Sequence, residues 1–398
     1  MAFKKPNKKN SRKSVRVKNS YYSFSKEYPG GVIGTPGKRA KKKAGKQRIF
    51  LAVASVVGFI LIFCVSYLIA ETGLRFSYKQ PDETGLSDVV TAGSEQNVAF
   101  ETVKALYMPS EKLSDTGYIK SLIRNIRRKD YNSVVIDFKT ESGNLSFFSN
   151  SDIALLAKCS SIDNETVEKA IEIFENAGIR IIGRFFCFQD AIVSESNPEL
   201  AVKYMSSDVL WLDKPESEGG KPYLNPYSKQ ARDYLIDTVK QVSGFGIRYF
   251  ILEDADFPDG TGAETAGFPG EKKKSGRGTV LLDFVNEVKA SLTADSKLIL
   301  SFSADDLLSG GSYSELLIKS NADAICVNTL RRPETYVVDK STDYSSMISL
   351  FTQLKQKTGE NKLLVLQIDS GEYSWRYVKA TKKSGFENVV IYNEKGEY

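Results

Sequence analysis

Ser133–Asn144 reads SVVIDFKTESGN. A run of β-branched and aromatic residues, with one acid set into it, passes directly into a polar turn that carries a glycine. Such a nearly unbroken apolar run suits a strand of a parallel sheet covered on both faces, because a half-exposed strand would alternate apolar and polar residues. The same kind of run recurs along the chain. Strands are expected at Val103–Met108, Ser133–Phe138, Ile179–Phe186, Tyr249–Glu253, Leu298–Phe302, Ala324–Asn328, Leu363–Ile368 and Asn388–Tyr392. Stretches with helical periodicity lie between them: Tyr118–Arg128, Glu165–Ala177, Lys229–Ser243, Thr279–Leu292, Tyr344–Gln356 and Tyr373–Ser384. Asp163 stands where the second of these helices needs an N-cap, and Gly178 where it needs a residue past its end. The eight alternations predict an α/β fold, a (β/α)8 or TIM barrel, over residues 101–398. A doubly wound open sheet is the alternative. The turn after the first strand, MPSEKLSD, speaks against it, since it has no glycines to cradle a phosphate.

Ahead of the barrel the character changes. Ile49–Ala70, IFLAVASVVGFILIFCVSYLIA, is 22 residues without a charge. At about 1.5 Å per residue this is enough to cross a hydrocarbon core of about 30 Å as one helix. Residues 1–48 hold 16 Lys and Arg against one acid, so of the chain's 55 basic and 49 acidic residues, 39 and 48 fall after them. The net charge of +6 therefore hides a basic tail and an acidic domain. By the positive-inside bias the protein is expected to be a single-pass protein of the plasma membrane, with its N-terminus cytoplasmic and its C-terminal domain extracytoplasmic. A cleaved signal peptide is the rival reading, but its apolar core would be shorter. Residues 1–48 are expected to be a disordered tail that meets anionic lipids, and 71–100 a polar linker. No nucleic-acid partner is expected, because a membrane tether restricts that use of a basic tail.

The chain has no histidine. That removes Ser-His-Asp and Cys-His nucleophile activation and most zinc sites, and leaves acid–base work to carboxylates, Lys and Tyr. The four cysteines, Cys64, Cys159, Cys187 and Cys326, show neither pairing nor metal spacing and read as buried free thiols. No cofactor is expected.

In a barrel of this kind the site lies at the C-terminal ends of the strands. The polar residues there are Asp137, Lys139 and Glu141 after the second strand, expected on one alternating face; Arg184, Gln189 and Asp190 on and after the third; and Glu253, Asp254, Asp256 and Asp259 at and after the fourth. Ser303, Asp305 and Asp306 follow the fifth strand, Asn328 and Arg331 the sixth, Gln367 and Asp369 the seventh, and Tyr392 and Asn393 the eighth. Carboxylates from several strands at one end are what glycoside hydrolysis needs. One protonates the leaving oxygen and another attacks the sugar or activates water. Glu253 and Asp137 are the expected catalytic pair, with Asp254 as an alternative partner. Lys139, Glu141, Arg184, Asp190, Trp211, Asn328, Asp369 and Tyr392 are expected to bind substrate. Acids after strands also serve as turn formers and helix caps. Trp211, Tyr223 and Tyr227, in and beside the long segment Ser206–Pro226, read either as a sugar-stacking lip or as pins for a long loop.

The order of several segments resembles the bacterial "putative glycosyl hydrolase domain" family. They are VKALYMPS, VVIDFKTESGN, GIRIIGRFFCFQD, SNPELAVKYMSSDVLWLD, LNPYSKQARDYLIDTVKQV and FGIRYFILEDADFPDG, and the resemblance covers about Val103 to Asn328. It implies a TIM barrel in a cell-envelope protein, with Asp137, Lys139, Arg184 and Asp190 in the pocket and a polysaccharide or cell-wall glycan as partner. The alternatives are a barrel that binds or scaffolds a glycan without turning it over, and an enzyme of another class that holds a divalent metal on the acids.

Overall fold

Among the described residues ten strands appear in chain order: β1 (Lys104–Met108), β2 (Ser133–Lys139), β3 (Arg180–Phe186), β4 (Lys203–Tyr204), β5 (Tyr249–Glu253), β6 (Ala266–Gly267), β7 (Lys297–Ser303), β8 (Ala324–Asn328), β9 (Leu363–Asp369) and β10 (Asn388–Tyr392). All but β4 and β6 are parallel and close a barrel in the order β1-β10-β9-β8-β7-β5-β3-β2. This is the architecture of a TIM barrel, as the alternation of the sequence predicts, and the closed order excludes the open sheet. The computed structural model describes residues 100–258, 262–273, 276–309, 313–330, 342–358, 363–370 and 374–398. The expected tail 1–48, membrane segment 49–70, nearly all of the linker, Cys64, Asp259 and Arg331 lie outside the described residues. Among the described residues no helix is long and apolar enough to cross a membrane.

The helices lie between the strands: α1 (Thr116–Arg128), α2 (Asp152–Ala157), α3 (Asn164–Asn176), α4 (Ala191–Ser196), α5 (Lys229–Gly244), α6 (Arg277–Ser291), α7 (Ala304–Ser309), α8 (Ser314–Leu317), α9 (Tyr344–Thr358) and α10 (Ser374–Lys383). Helix α1 buries Ile119, Leu122, Ile123 and Ile126, one stripe at helical spacing. Asp115 caps it by accepting from the Tyr118 N–H, which is why it starts two residues before the expected Tyr118. Asp163 caps α3 as expected, accepting from Thr166 N–H at 2.8 Å. Gly178, at φ +70°, supplies the left-handed residue beyond the end of α3. The short helices α2, α4, α7 and α8 are absent from the sequence reading, since one or two turns hold too few residues to show a period.

Two cores follow from strand alternation. The outer one packs strand residues such as Val134, Ile136 and Phe138 against the helices. The inner one fills the barrel with residues that include Ala105, Val135, Ile182, Ile251, Cys326, Val365 and Val390. Side chains two residues apart share a face. One step from each inner residue toward the C-terminal end therefore gives Tyr107, Asp137, Arg184, Glu253, Asn328, Gln367 and Tyr392. Every one of these except half-buried Tyr392 is buried. The strand period has placed one polar layer across the mouth of the barrel.

One irregularity matters for that layer. Strands β2 and β3 pair Asp137 with Arg184, but then Lys139 with Phe185, a register shift between Asp137 and Lys139. A bulge re-aims the residues beyond it, so the expected common face of Asp137, Lys139 and Glu141 is broken.

Phe138 itself is fully buried and stacks on Phe185, with ring centroids 6.2 Å apart. Phe138→Ala is expected to cost about 3–5 kcal/mol through lost burial and the cavity left behind, measured as the change in unfolding free energy in urea.

Candidate functional site

Arg184 is the centre of the mouth. Its side chain is 3% exposed, yet it carries a full charge. Its Nε donates to Asp137 Oδ1 at 2.5 Å and Nη2 to Asp137 Oδ2 at 3.0 Å, a two-pronged pair across neighbouring strands. Nη1 donates to Gln367 Oε1 at 3.4 Å and lies 3.9 Å from Glu253 Oε1. The rings of Tyr107, Phe186 and Tyr392 surround the guanidinium at 4.9, 5.2 and 5.2 Å. Burial alone would lower the Arg184 pKa, but the Asp137 carboxylate, with Glu253 adding to it, outweighs that and holds the guanidinium charged. Tyr107 donates its phenol to Asp137 Oδ2 at 2.9 Å. Burial, then the negative charge of Asp137, pushes that phenol far above its ordinary range. Both Asp137 oxygens are therefore engaged, one by Arg184 and the other by Arg184 and Tyr107 together.

Glu253 closes β5 and is 2% exposed. Asp254 follows with φ +49°, a left-handed conformation that strains a non-glycine residue, Asp less than most. The chain is clipped there. Cys187 N–H donates to Glu253 O at 2.8 Å and Phe188 N–H to Asp254 O at 3.3 Å, so the segment after β3 fixes the end of β5. The left-handed turn ends strand alternation at Asp254. Both neighbouring acids consequently act on one group: burial pushes the Cys187 thiol up, Lys139 opposes this, and Asp254 and Glu253 push further.

A second buried pair lies beside the first. Lys139 is fully enclosed. Its Nζ donates to the carbonyls of Phe186, Cys187 and Gln189 at 2.6, 3.2 and 3.3 Å and meets Asp190 Oδ2 at 3.0 Å. Asp190 Oδ1 accepts from Val193 N–H at 2.9 Å and so caps α4. Gly143, at φ +98°, passes so close that an added Cβ would overlap the Asp190 carboxylate. Lys139 and Asp190 thus tie the ends of β2 and β3 together beneath the surface, where the expectation has them reaching substrate. The register shift after Asp137 is the physical reason.

The other expected residues divide. Tyr392 joins the central layer, its ring 4.5 Å from that of Tyr107. Asn328 is 3% exposed and turns back to accept from Leu330 N–H at 2.9 Å. Glu141 stands exposed at the rim and accepts from Gln189 Nε2 at 3.0 Å. Asp369 comes to the same end in register with Tyr392, but its side chain is outside what the structure describes. Trp211 is 1% exposed and donates to Gly262 O and Thr265 Oγ1, both at 3.2 Å. It ties the segment after β4 to the loop after β5 and is buried there. Cys159, Cys187 and Cys326 are free and buried, as the spacing predicts. Among the described residues no three His, Cys, Asp or Glu side chains are grouped as a metal ion would need. Tyr107 is the residue missed. Its signal was available: it sits two residues beyond Ala105, on the face that points inward.

A closed parallel barrel with acids, an arginine and tyrosines layered at the C-terminal ends of its strands defines a class, the TIM barrels, whose sites lie at that end. The sequence model described as "Putative glycosyl hydrolase domain" matches residues 105–305, just over half of the chain, and the chain belongs to this family. A hypothetical protein from Ruminiclostridium thermocellum ATCC 27405 superposes at 23% identity with a TM-score of 0.43, covering 49% of this chain and 96% of that one. The glycoside hydrolase domain of PelA from Pseudomonas aeruginosa superposes at 10% identity and 0.43, covering 74% and 96%. A cycloisomaltooligosaccharide glucanotransferase from Paenibacillus sp. superposes at 12% identity and 0.45, covering 67% of this chain and 38% of that enzyme. No curated protein matches the chain.

Lys139→Met is expected to destabilise the barrel by about 3–5 kcal/mol, because it leaves the buried Asp190 carboxyl group without its cation. Adding Asp190→Asn to Lys139→Met is expected to recover part of that loss. Urea midpoints of the two single variants and the double variant give the coupling.

Proposed function

We propose that this protein is a membrane-anchored glycoside hydrolase of the cell envelope, with Glu253 and Asp254 as its working carboxylates. The observation that carries the reading is the engagement of Asp137. A carboxylate whose two oxygens serve Arg184 and Tyr107 is poorly placed to give or take a proton, so of the expected Glu253–Asp137 pair only Glu253 remains, and the alternative partner Asp254 takes the second role. In hydrolysis one of these carboxyls gives its proton to the glycosidic oxygen as the bond to the anomeric carbon breaks. Water adds to that carbon, directly or after a covalent intermediate, and its proton goes to a carboxylate. Arg184 would hold its place beside the developing positive charge only because Asp137 neutralises it. Glu141 at the rim and Tyr392 in the layer are the proposed substrate contacts, and the glycan is a polysaccharide or cell-wall polymer.

The anchor supports the location. Its 22 uncharged residues follow a strongly basic flank, the arrangement that retains the N-terminus in the cytoplasm and puts the barrel outside. The tail would rest on anionic headgroups at about 1 kcal/mol per nearby basic residue. A second reading, a barrel that binds glycan without turnover, is favoured by the deep burial of Glu253.

The full chain in detergent micelles, incubated with peptidoglycan and capsular polysaccharides, is expected to release reducing ends. Glu253→Gln and Asp254→Asn should each lower the rate by about 10²–10⁴-fold, the range for a general acid or base. Binding without reducing ends in the wild type gives the second reading instead, and full activity in Glu253→Gln removes the carboxylate assignment. For the topology, protease added to intact cells should digest the barrel and spare residues 1–48, and a barrel protected until lysis would reverse the orientation.

A further inference from the structure

Residues beyond β10 turn back over the seam where the first and last strands meet. Helix α1 holds them at two points: Tyr118 donates its hydroxyl to Gly396 O at 2.8 Å, and Asn125 Nδ2 to Tyr398 O at 3.3 Å. The Tyr398 phenol then enters the seam. Strands β1 and β10 pair Lys104 with Val389, Ala105 with Val390 and Leu106 with Ile391, and the register stops there. Beyond that point the Tyr398 hydroxyl stands in for the ladder. It accepts from Tyr107 N–H at 2.9 Å, and its own proton goes to Tyr107 O at 2.8 Å or Ile391 O at 3.0 Å. Buried main-chain groups need partners, and at this splayed end one side-chain hydroxyl accepts from the Tyr107 N–H and donates to one of the two carbonyls.

We propose that Tyr398 is a positioning residue for the charged layer at the barrel mouth, acting on Arg184 through Tyr107 and Asp137. This rests on the reading of that layer as the glycan site. The chain of contacts is short. Tyr398 fixes the main chain of Tyr107, whose phenol donates to Asp137 Oδ2 at 2.9 Å. Asp137 in turn holds two of the three guanidinium nitrogens of Arg184. The neighbours of the seam, Tyr107 and Tyr392, are also the aromatic walls of Arg184. Splaying β1 from β10 at this end would move both walls and the Tyr107 hydroxyl together. Burial holds the Tyr398 phenol protonated, so its donor is retained across the ordinary pH range.

The test needs no substrate. The full chain in detergent micelles is treated with phenylglyoxal, which modifies guanidinium groups, and modified peptides are quantified by mass spectrometry. In the wild type, Arg184 should react slowly. Tyr398→Phe is expected to raise its rate about tenfold or more, since reaction of a buried group follows its local opening. Arg232 and Arg277, outside the chain of contacts, should keep their rates. Tyr107→Phe, which removes the bond to Asp137 and leaves the seam intact, should raise the Arg184 rate similarly. An unchanged Arg184 rate in folded Tyr398→Phe overturns the proposal, as does an equal rise at all three arginines, which marks general loosening. If Tyr398→Phe does not fold, Tyr118→Phe loosens the same residues at Gly396 with the phenol kept. A selective rise at Arg184 then supports the proposal and an unchanged rate overturns it. Absence of glycan turnover in the wild type would remove the hydrolase reading and leave this result standing.

Discussion

A guanidinium inside a barrel mouth must be neutralised where it stands. Taking such a charge out of water costs several kcal/mol even after relaxation, and the return depends on geometry. Arg184 obtains that geometry from neighbouring strands in one register: Asp137 opposite it on β2, and Glu253 reaching it from β5. The aromatic rings complete the enclosure. Once the arginine is placed, little about the layer is free to vary. Asp137 must present both oxygens, Tyr107 must keep its proton to donate, and Gln367 must present its oxygen.

That constraint redistributes the roles among the acids. Carboxylates at strand ends look equivalent in a sequence, because each follows an apolar run and precedes a polar loop. In three dimensions they have different employers. Asp137 serves a cation, Asp190 serves a lysine and a helix end, and Asp115 and Asp163 serve helix N-termini. Glu253 and Asp254 are distinguished by their backbone. Residues 187 and 188 clip them in place, and Asp254 keeps a left-handed conformation that costs of order 1–3 kcal/mol and persists only where surrounding structure enforces it.

The sequence made the barrel legible for a definite reason. Parallel strands covered on both faces are nearly all apolar, so runs such as SVVIDF and YFILE stand out without help from tertiary contacts, and β5, β8 and β10 begin and end where the residues indicate. The same alternation locates the mouth, and the inward face of each strand predicts most of its layer. The reading failed where one extra residue entered the ladder. After the register shift at Asp137, counting by twos no longer tracks direction, and Lys139 left the face assigned to it. Tyr107 was passed over because attention to strand ends favours charges, although a phenol at the right register does the same electrostatic work. Trp211 could not be resolved from sequence, since its partners, Gly262 and Thr265, lie some fifty positions away.

Two ties hold the mouth at seams on either side of the β1–β2 pair, and they differ in kind. Lys139 and Asp190 bind the ends of β2 and β3 through a charge and three carbonyls, an arrangement sensitive to the loss of either partner. Two seams along, Tyr398 closes the gap between β1 and β10 with a neutral hydroxyl, which asks for no counter-charge and carries no desolvation cost of an ion. Arg184 is reached by both: through the end of β3, which carries it, and through Tyr107 and Asp137. A barrel that only needed to be stable could fill this space with apolar side chains, since replacing a buried ion pair by well-packed hydrophobic residues is often neutral or stabilising. Charges retained here, braced at two seams, fit the proposed reading, in which Glu253 and Asp254 have to be presented in one fixed arrangement.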